Sequence, residues 1–264
     1  AEENEIPPYL IFDIKDATGA QVRRLYSKPS SGINRKVWDL CYNSTRPVRK
    51  SGDKFDPFRE YGSGMFVMPG IYNVTISLCA NGETKVLAGP ETFNAKVLNN
   101  TTLPAADRAA LVAFQQEVSD VARKALGAER YAEELSEKLT SMLQAVHQTP
   151  DASPELSNEI LMAVKEADDI LFKLHGTQPK ASREEVPPAQ VPLMDRLSNV
   201  IWSHYASTSA PTSTHRRSLS ILQEEFPPVV KQLKALGEVK VKALEDRMEQ
   251  AGVPYTTGRL PLWD

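Results

Sequence analysis

An α+β fold in two parts follows from the amino-acid sequence. Residues 1–100 read as an antiparallel β-sandwich, and residues 101–264 as an up-down-up-down four-helix bundle ending in a non-helical tail. Three observations carry this. Apolar residues alternate in a two-residue rhythm through the first hundred positions. They switch to spacings of three and four after "NNTTLPAADRAA". Gly, Pro, Asn and Ser cluster between the runs, where turns belong.

The strands come first. "LIFDI" alternates Leu10, Phe12 and Ile14 on one face, and "KDATGAQ" supplies turn chemistry before "VRRLY". In "GINRKVWDLCYNSTRPV" Trp38, Leu40 and Tyr42 share one face of an extended run, with Val37, Asp39 and Cys41 on the other. "IYNVTISLCANGETKVLAG" is the clearest hairpin: Tyr72, Val74, Ile76 and Leu78 alternate, and Asn81-Gly82 makes a type I′ turn before the return strand. "TFNAKVL" predicts one more strand. Short strands at this spacing indicate a sandwich of the immunoglobulin type, with Trp38 filling its core.

The helices follow. Leu111, Phe114, Val118, Val121, Ala125, Ala128, Ala132, Leu135, Leu139, Met142 and Val146 form one long seam, starting near Thr102 or Leu103 with Pro104 in the first turn. Ser153 caps a second helix with Pro154 at its first position; Leu156, Ile160, Ala163, Ala167, Ile170 and Leu174 make its stripe, and Gly176 ends it. After the proline-rich loop 177–192, a third helix carries Leu193, Leu197, Val200, Ile201 and His204. A fourth is seamed by Leu219, Leu222, Phe226, Val230, Leu233, Leu236 and Ala243, and Pro227-Pro228 should kink or interrupt it.

Composition narrows the function. The net charge of -3 argues against nucleic acid, which demands a basic surface. No apolar run nears the roughly 20 residues a bilayer span requires, so no membrane partner and a soluble protein are expected. The opening "AEENEIPPYL" has neither a basic region nor an apolar stretch, and reads as a processed or truncated end rather than a signal peptide.

In order and spacing, "FDIKDATGAQVRRL", "GINRKVWDL" and "MPGIYNVTISL" are similar to the immunoglobulin-like module of flagellar hook-capping proteins. Followed by helices, the arrangement resembles the C-terminal region of bacterial secreted proteins that carry a sortilin-like, BNR-repeat β-propeller upstream and are labelled glycosyl hydrolases. "APTSTHRRSL" and "LEDRMEQAGVPY" are similar to the ends of that family's last helix. The resemblance implies a secreted, periplasmic or cell-surface location. It also implies a partner in the upstream propeller of the same parent chain. The propeller itself is missing from these residues, so no catalytic or sugar-binding group is carried over from it.

Chemistry of the chain's own is sparse. The acidic pairs Asp13/Asp16, Asp53/Asp56 and Asp168/Asp169 have no spacing that sets two carboxylates across a substrate. His147, His175, His204 and His215 lie far apart in sequence, and none has a second histidine at i+4, so neither a metal nor a cofactor is expected. The most suggestive stretch is "SGDKFDPFREYGSG", where Phe55, Phe58 and Tyr61 recur every three residues. Those rings either tuck against their own domain, dock a neighbouring domain, or make a platform for carbohydrate. Cys41 and Cys79 would bridge if their strands were adjacent, or stay as free thiols. The expected function is a non-catalytic accessory module, with a carbohydrate-binding module as the alternative.

Overall fold

The computed structural model describes residues 6–48, 55–59, 62–98, 100–182, 184, 186–187 and 189–261. It is α+β, with a small antiparallel sheet and amphipathic helices. It comprises two compact units, Ala1–Asp120 with Ile201–Thr212, and Val121–Val200 with Ser213–Asp264. The rhythm of the sequence changes near residue 100, whereas the units part at 120. The strand-bearing unit thus includes helix residues on both sides of the second unit's first stretch.

In the first unit, β1 (Tyr9–Asp16), β2 (Gln21–Ser27), β5 (Gly70–Ala80) and β6 (Glu83–Ala95) form one antiparallel sheet in the order β2-β1-β5-β6. β3 (Cys41–Asn43) and β4 (Ser63–Phe66) form a separate two-stranded ribbon. The β5–β6 hairpin turns at Asn81 (φ 52°) and Gly82 (φ 78°), the left-handed pair that a type I′ turn requires. "TFNAKVL" is not a separate strand: residues 92–95 continue β6, which ends at Ala95, and Phe93 pairs with Tyr72. Irregularities opposite Val74–Ser77 let one long return strand follow the twist of β5.

The run 33–42 also departs from expectation, since only Cys41–Asn43 is strand. Leu40 takes φ 57°, which turns the chain and breaks the alternation. Cys41 therefore points inward, at 7% exposure, instead of sharing an outer face with Val37 and Asp39. Trp38 does reach the core. Its ring lies edge-on to Tyr72 (5.2 Å) and Phe93 (5.9 Å), and its Nε1 donates to the Cys41 carbonyl at 3.0 Å. Ile14, Val22, Val67 and Tyr72 make the buried cluster beneath it. Arg23 is buried beside them, and it ties β2 to the ribbon by donating to the Tyr42 carbonyl (2.8 Å) and Ser63 Oγ (3.3 Å), with Asp39 3.7 Å away. A buried guanidinium is tolerated only because it is bonded in this way.

The same unit contains the start of α1 (Arg108–His147) and the end of α3 (Leu193–His204). α1 begins after Asp107, whose Oδ1 accepts from Ala110 N at 2.9 Å, so Pro104 precedes the helix instead of occupying its first turn. Buried Gln115 donates to the carbonyls of His204 (2.5 Å) and Ser207 (3.3 Å). Tyr205 joins strand to helix: its carbonyl accepts from Phe66 N (3.3 Å), and its hydroxyl lies 3.0 Å from Ser119 Oγ.

The second unit holds the rest of α1 and α3, with α2 (Pro154–His175), α4 (Ser213–Lys234), a π-helical turn (Ala235–Lys240) and α5 (Val241–Gln250). α2 follows its sequence closely. Ser153 Oγ accepts from Leu156 N (3.3 Å), Pro154 opens the helix, and all six stripe residues are buried. Gly176 ends it at φ 65°. α4 runs through Pro227 and Pro228 without interruption. Both prolines lie on the exposed side, and the carbonyls that lose their helical partner belong to exposed Gln223 and Glu224, on the solvent side of the helix.

The buried positions then fall at Leu219, Leu222, Phe226, Val229, Leu233, Leu236, Val241, Leu244 and Met248. Val229 replaces Val230 as a core residue, and Val241 and Leu244 replace Ala243. From Leu236 to Val241 the step is five residues, which an α-helix would rotate off the core face. One π turn, with its i→i+5 bonding, restores the stripe. Gly237 lies in that turn against the Tyr131 ring, leaving no room for a side chain. Lys138–Glu245 (2.7 Å), Lys240–Glu166 (2.9 Å) and Arg247–Glu159 pair across the helices; such partly exposed pairs contribute about 0.2–1 kcal/mol each. The tail folds back on α5: Arg259 is buried, pairs with Glu249, donates to the Val253 carbonyl (3.1 Å) and stacks 4.6 Å over Tyr255. No described helix is long and apolar enough to cross a membrane.

Candidate functional site

Two of the three aromatics singled out in the sequence, Phe55 and Phe58, are described, both on the strand-bearing unit. Phe55 lies edge-on to Tyr9 (6.0 Å) and Tyr26 (5.7 Å), which also contact each other at 5.8 Å. Pro57 is buried, and Asp56 Oδ1 accepts from Phe58 N at 2.8 Å to close the turn. Phe58 is half-buried under Lys28, whose Nζ lies 4.9 Å from the ring centre. Tyr61 lies outside the described residues. The arrangement combines tucking and display: Phe55 is anchored by two edges yet remains 44% exposed.

Tyr9 and Tyr26 were not singled out by sequence reasoning, although a signal was present. Each closes one end of the first hairpin's strands, and pairing Ile11 with Tyr26 places the two rings on neighbouring rows. The Tyr9 phenol is pushed up to about 12, first by its hydrogen bond with Cys79 and then by burial. It is therefore a neutral hydroxyl near neutral pH and offers a hydrogen bond without charge. Burial likewise pushes the Cys41 thiol up to about 11. Cys41 and Cys79 are free thiols on different sheets, so the adjacent strands a disulfide would need do not occur.

Asp13, Asp16 and Asp56 serve the fold. Asp13 accepts from Arg24 Nε at 2.6 Å and Gln21 Nε2 at 3.0 Å. Asp16 accepts from Thr18 Oγ1 (2.6 Å), Thr18 N (2.9 Å) and Ala20 N (3.0 Å); the Thr18 hydroxyl leads these bonds in holding its carboxyl below the usual range. Asp56 makes the turn described above, and Asp53 lies outside the described residues. Asp168 and Asp169 are exposed on α2. Among the histidines, His147 Nε2 lies 2.8 Å from Ser157 Oγ, and buried His204 stacks edge-on against Phe114 at 5.2 Å. His175 is different: it meets Glu129 and Glu133 in one cluster.

In the second unit a cavity of about 1070 Å³ opens between the end of α2, the loop after it and α4, with His175, Val191, Pro192, Glu224, Pro228 and Gln232 in its wall. Glu224 there is bonded by Ser220 Oγ at 2.8 Å. No family model, curated protein or solved structure matches the chain.

Proposed function

We propose that this chain is a non-catalytic accessory module of a secreted β-propeller protein of the glycosyl-hydrolase type, docking on or spacing the upstream domain of the same parent chain. In this reading the strands form an immunoglobulin-like sandwich and the helices an up-down-up-down bundle. The observation that supports it is the amount of apolar side chain left uncovered on the strand-bearing unit. Ile33, Val37, Val48, Leu98, Leu103 and Trp202 are all exposed, Trp202 by 79%. Such side chains gain free energy when a neighbouring domain covers them. The deciding measurement is the coding context. A long repeat-bearing region is expected ahead of Ala1, and a reading frame without propeller repeats would remove the proposal.

A carbohydrate-binding module is the second reading, supported by the half-exposed Phe55 ring with the Tyr9 and Tyr26 rings beside it. It predicts glycan-array binding that Phe55→Ala or Tyr61→Ala weakens about two- to tenfold, the order of the loss when one stacked ring goes. A blank array eliminates this reading and leaves the accessory one standing.

A further inference from the structure

We propose that Glu129, Glu133 and His175 form a divalent-cation site of the zinc class that clamps α1 to α2. Glu129 and Glu133 are one helical turn apart, so their carboxylates leave the same face of α1. His175 is the last residue of α2 and approaches from the other helix. One ligand atom from each residue lies within 4.8 Å of the other two, and His175 Nε2 lies 3.4 Å from Glu129 Oε1. Donors held about 2.0–2.2 Å from a tetrahedral zinc stand about 3.3–3.6 Å apart, so that pair already has the spacing of a shared ion. One imidazole and two carboxylates suit a borderline cation better than Mg2+ or Ca2+, which prefer oxygen alone.

Electrostatics favour a cation at this spot. Two carboxylates face a single imidazole, and the C-terminal end of α2 adds the negative pole of its backbone dipoles. Glu129 is half-buried, so its carboxylate has less water to screen it. Glu133 also touches Arg130 at 3.4 Å, but Arg130 has Glu134 at the same distance and keeps a partner when Glu133 turns to the ion. A fourth coordination position remains for water.

The test uses the full chain, stripped with EDTA, dialysed and titrated with zinc chloride in a calorimeter. One saturable zinc per chain is expected, with a rise in thermal midpoint and no comparable response to Mg2+. Glu129→Gln and His175→Gln should each weaken binding at least tenfold, while Glu134→Gln leaves it unchanged. Zinc X-ray absorption on the unaltered chain decides the matter should a variant fail to fold: one imidazole with oxygen neighbours is expected. Absence of a saturable site, equal affinity in folded His175→Gln, or a shell with two imidazoles or sulfur would overturn the assignment.

Discussion

Leu139→Ala is expected to lower the stability of the helical unit by about 2–5 kcal/mol, the range for emptying an enclosed leucine site. Leu139 is fully buried, at 0% exposure, on the seam of α1. Its neighbours along that seam, Leu135 and Met142, are buried as well, so the helix has little freedom to close the gap. The loss combines the transfer term for the missing methyl and methylene groups with a cavity term. Urea titration followed by the helical circular-dichroism signal should show a lower midpoint with an unchanged slope. Leu161→Ala, at an exposed position on α2, is the control and should cost under about 0.5 kcal/mol. A cost below about 1 kcal/mol at Leu139 would show that the seam is not enclosed.

Gly89→Ala is the second large effect, and it acts through backbone instead of core volume. Gly89 sits in β6 at φ 98°, a region L-residues rarely enter, which costs about 1–3 kcal/mol by itself. A Cβ there would stand 2.5 Å from the Val74 carbonyl oxygen and 3.0 Å from Thr75 Cα. Both are backbone atoms of the paired strand, so relief requires β5 and β6 to separate. The expected result is selective weakening of the sheet: earlier amide exchange in β5 and β6, with the α2 amides unaffected. Equal protection in the variant would contradict the close approach.

How legible the molecule was in its sequence varied with the locality of the interaction. α2 was readable to the residue, because its cap, its proline, its stripe and its terminal glycine all act within one or two turns. The Asn81-Gly82 turn was readable for the same reason. The run around Trp38 was not: nothing local announces that Leu40 will adopt a left-handed conformation, and that single residue reverses the facing of Cys41. The fourth helix falls between these cases. A five-residue gap between Leu236 and Val241 is visible in the sequence, yet it reads as a flaw until the π turn resolves it. The aromatic site was half legible. The repeat of phenylalanines stands out along the chain, whereas the two tyrosines that hold Phe55 come from strands brought together only by pairing.

By itself the sequence determined the class of structure, the site of the change from strand to helix, and the chemistry of caps and turns. These depend on side-chain periodicity and backbone preference over a few residues. Tertiary structure alone decided that Gln115 and Tyr205 would bind the end of α3 to the strand-bearing unit, that Arg23 would be buried, and that His175 would meet Glu129 across two helices. Each of those contacts joins residues tens of positions apart or lies where several elements converge, and the free energy that selects it comes from burial and polar satisfaction created only once the elements pack.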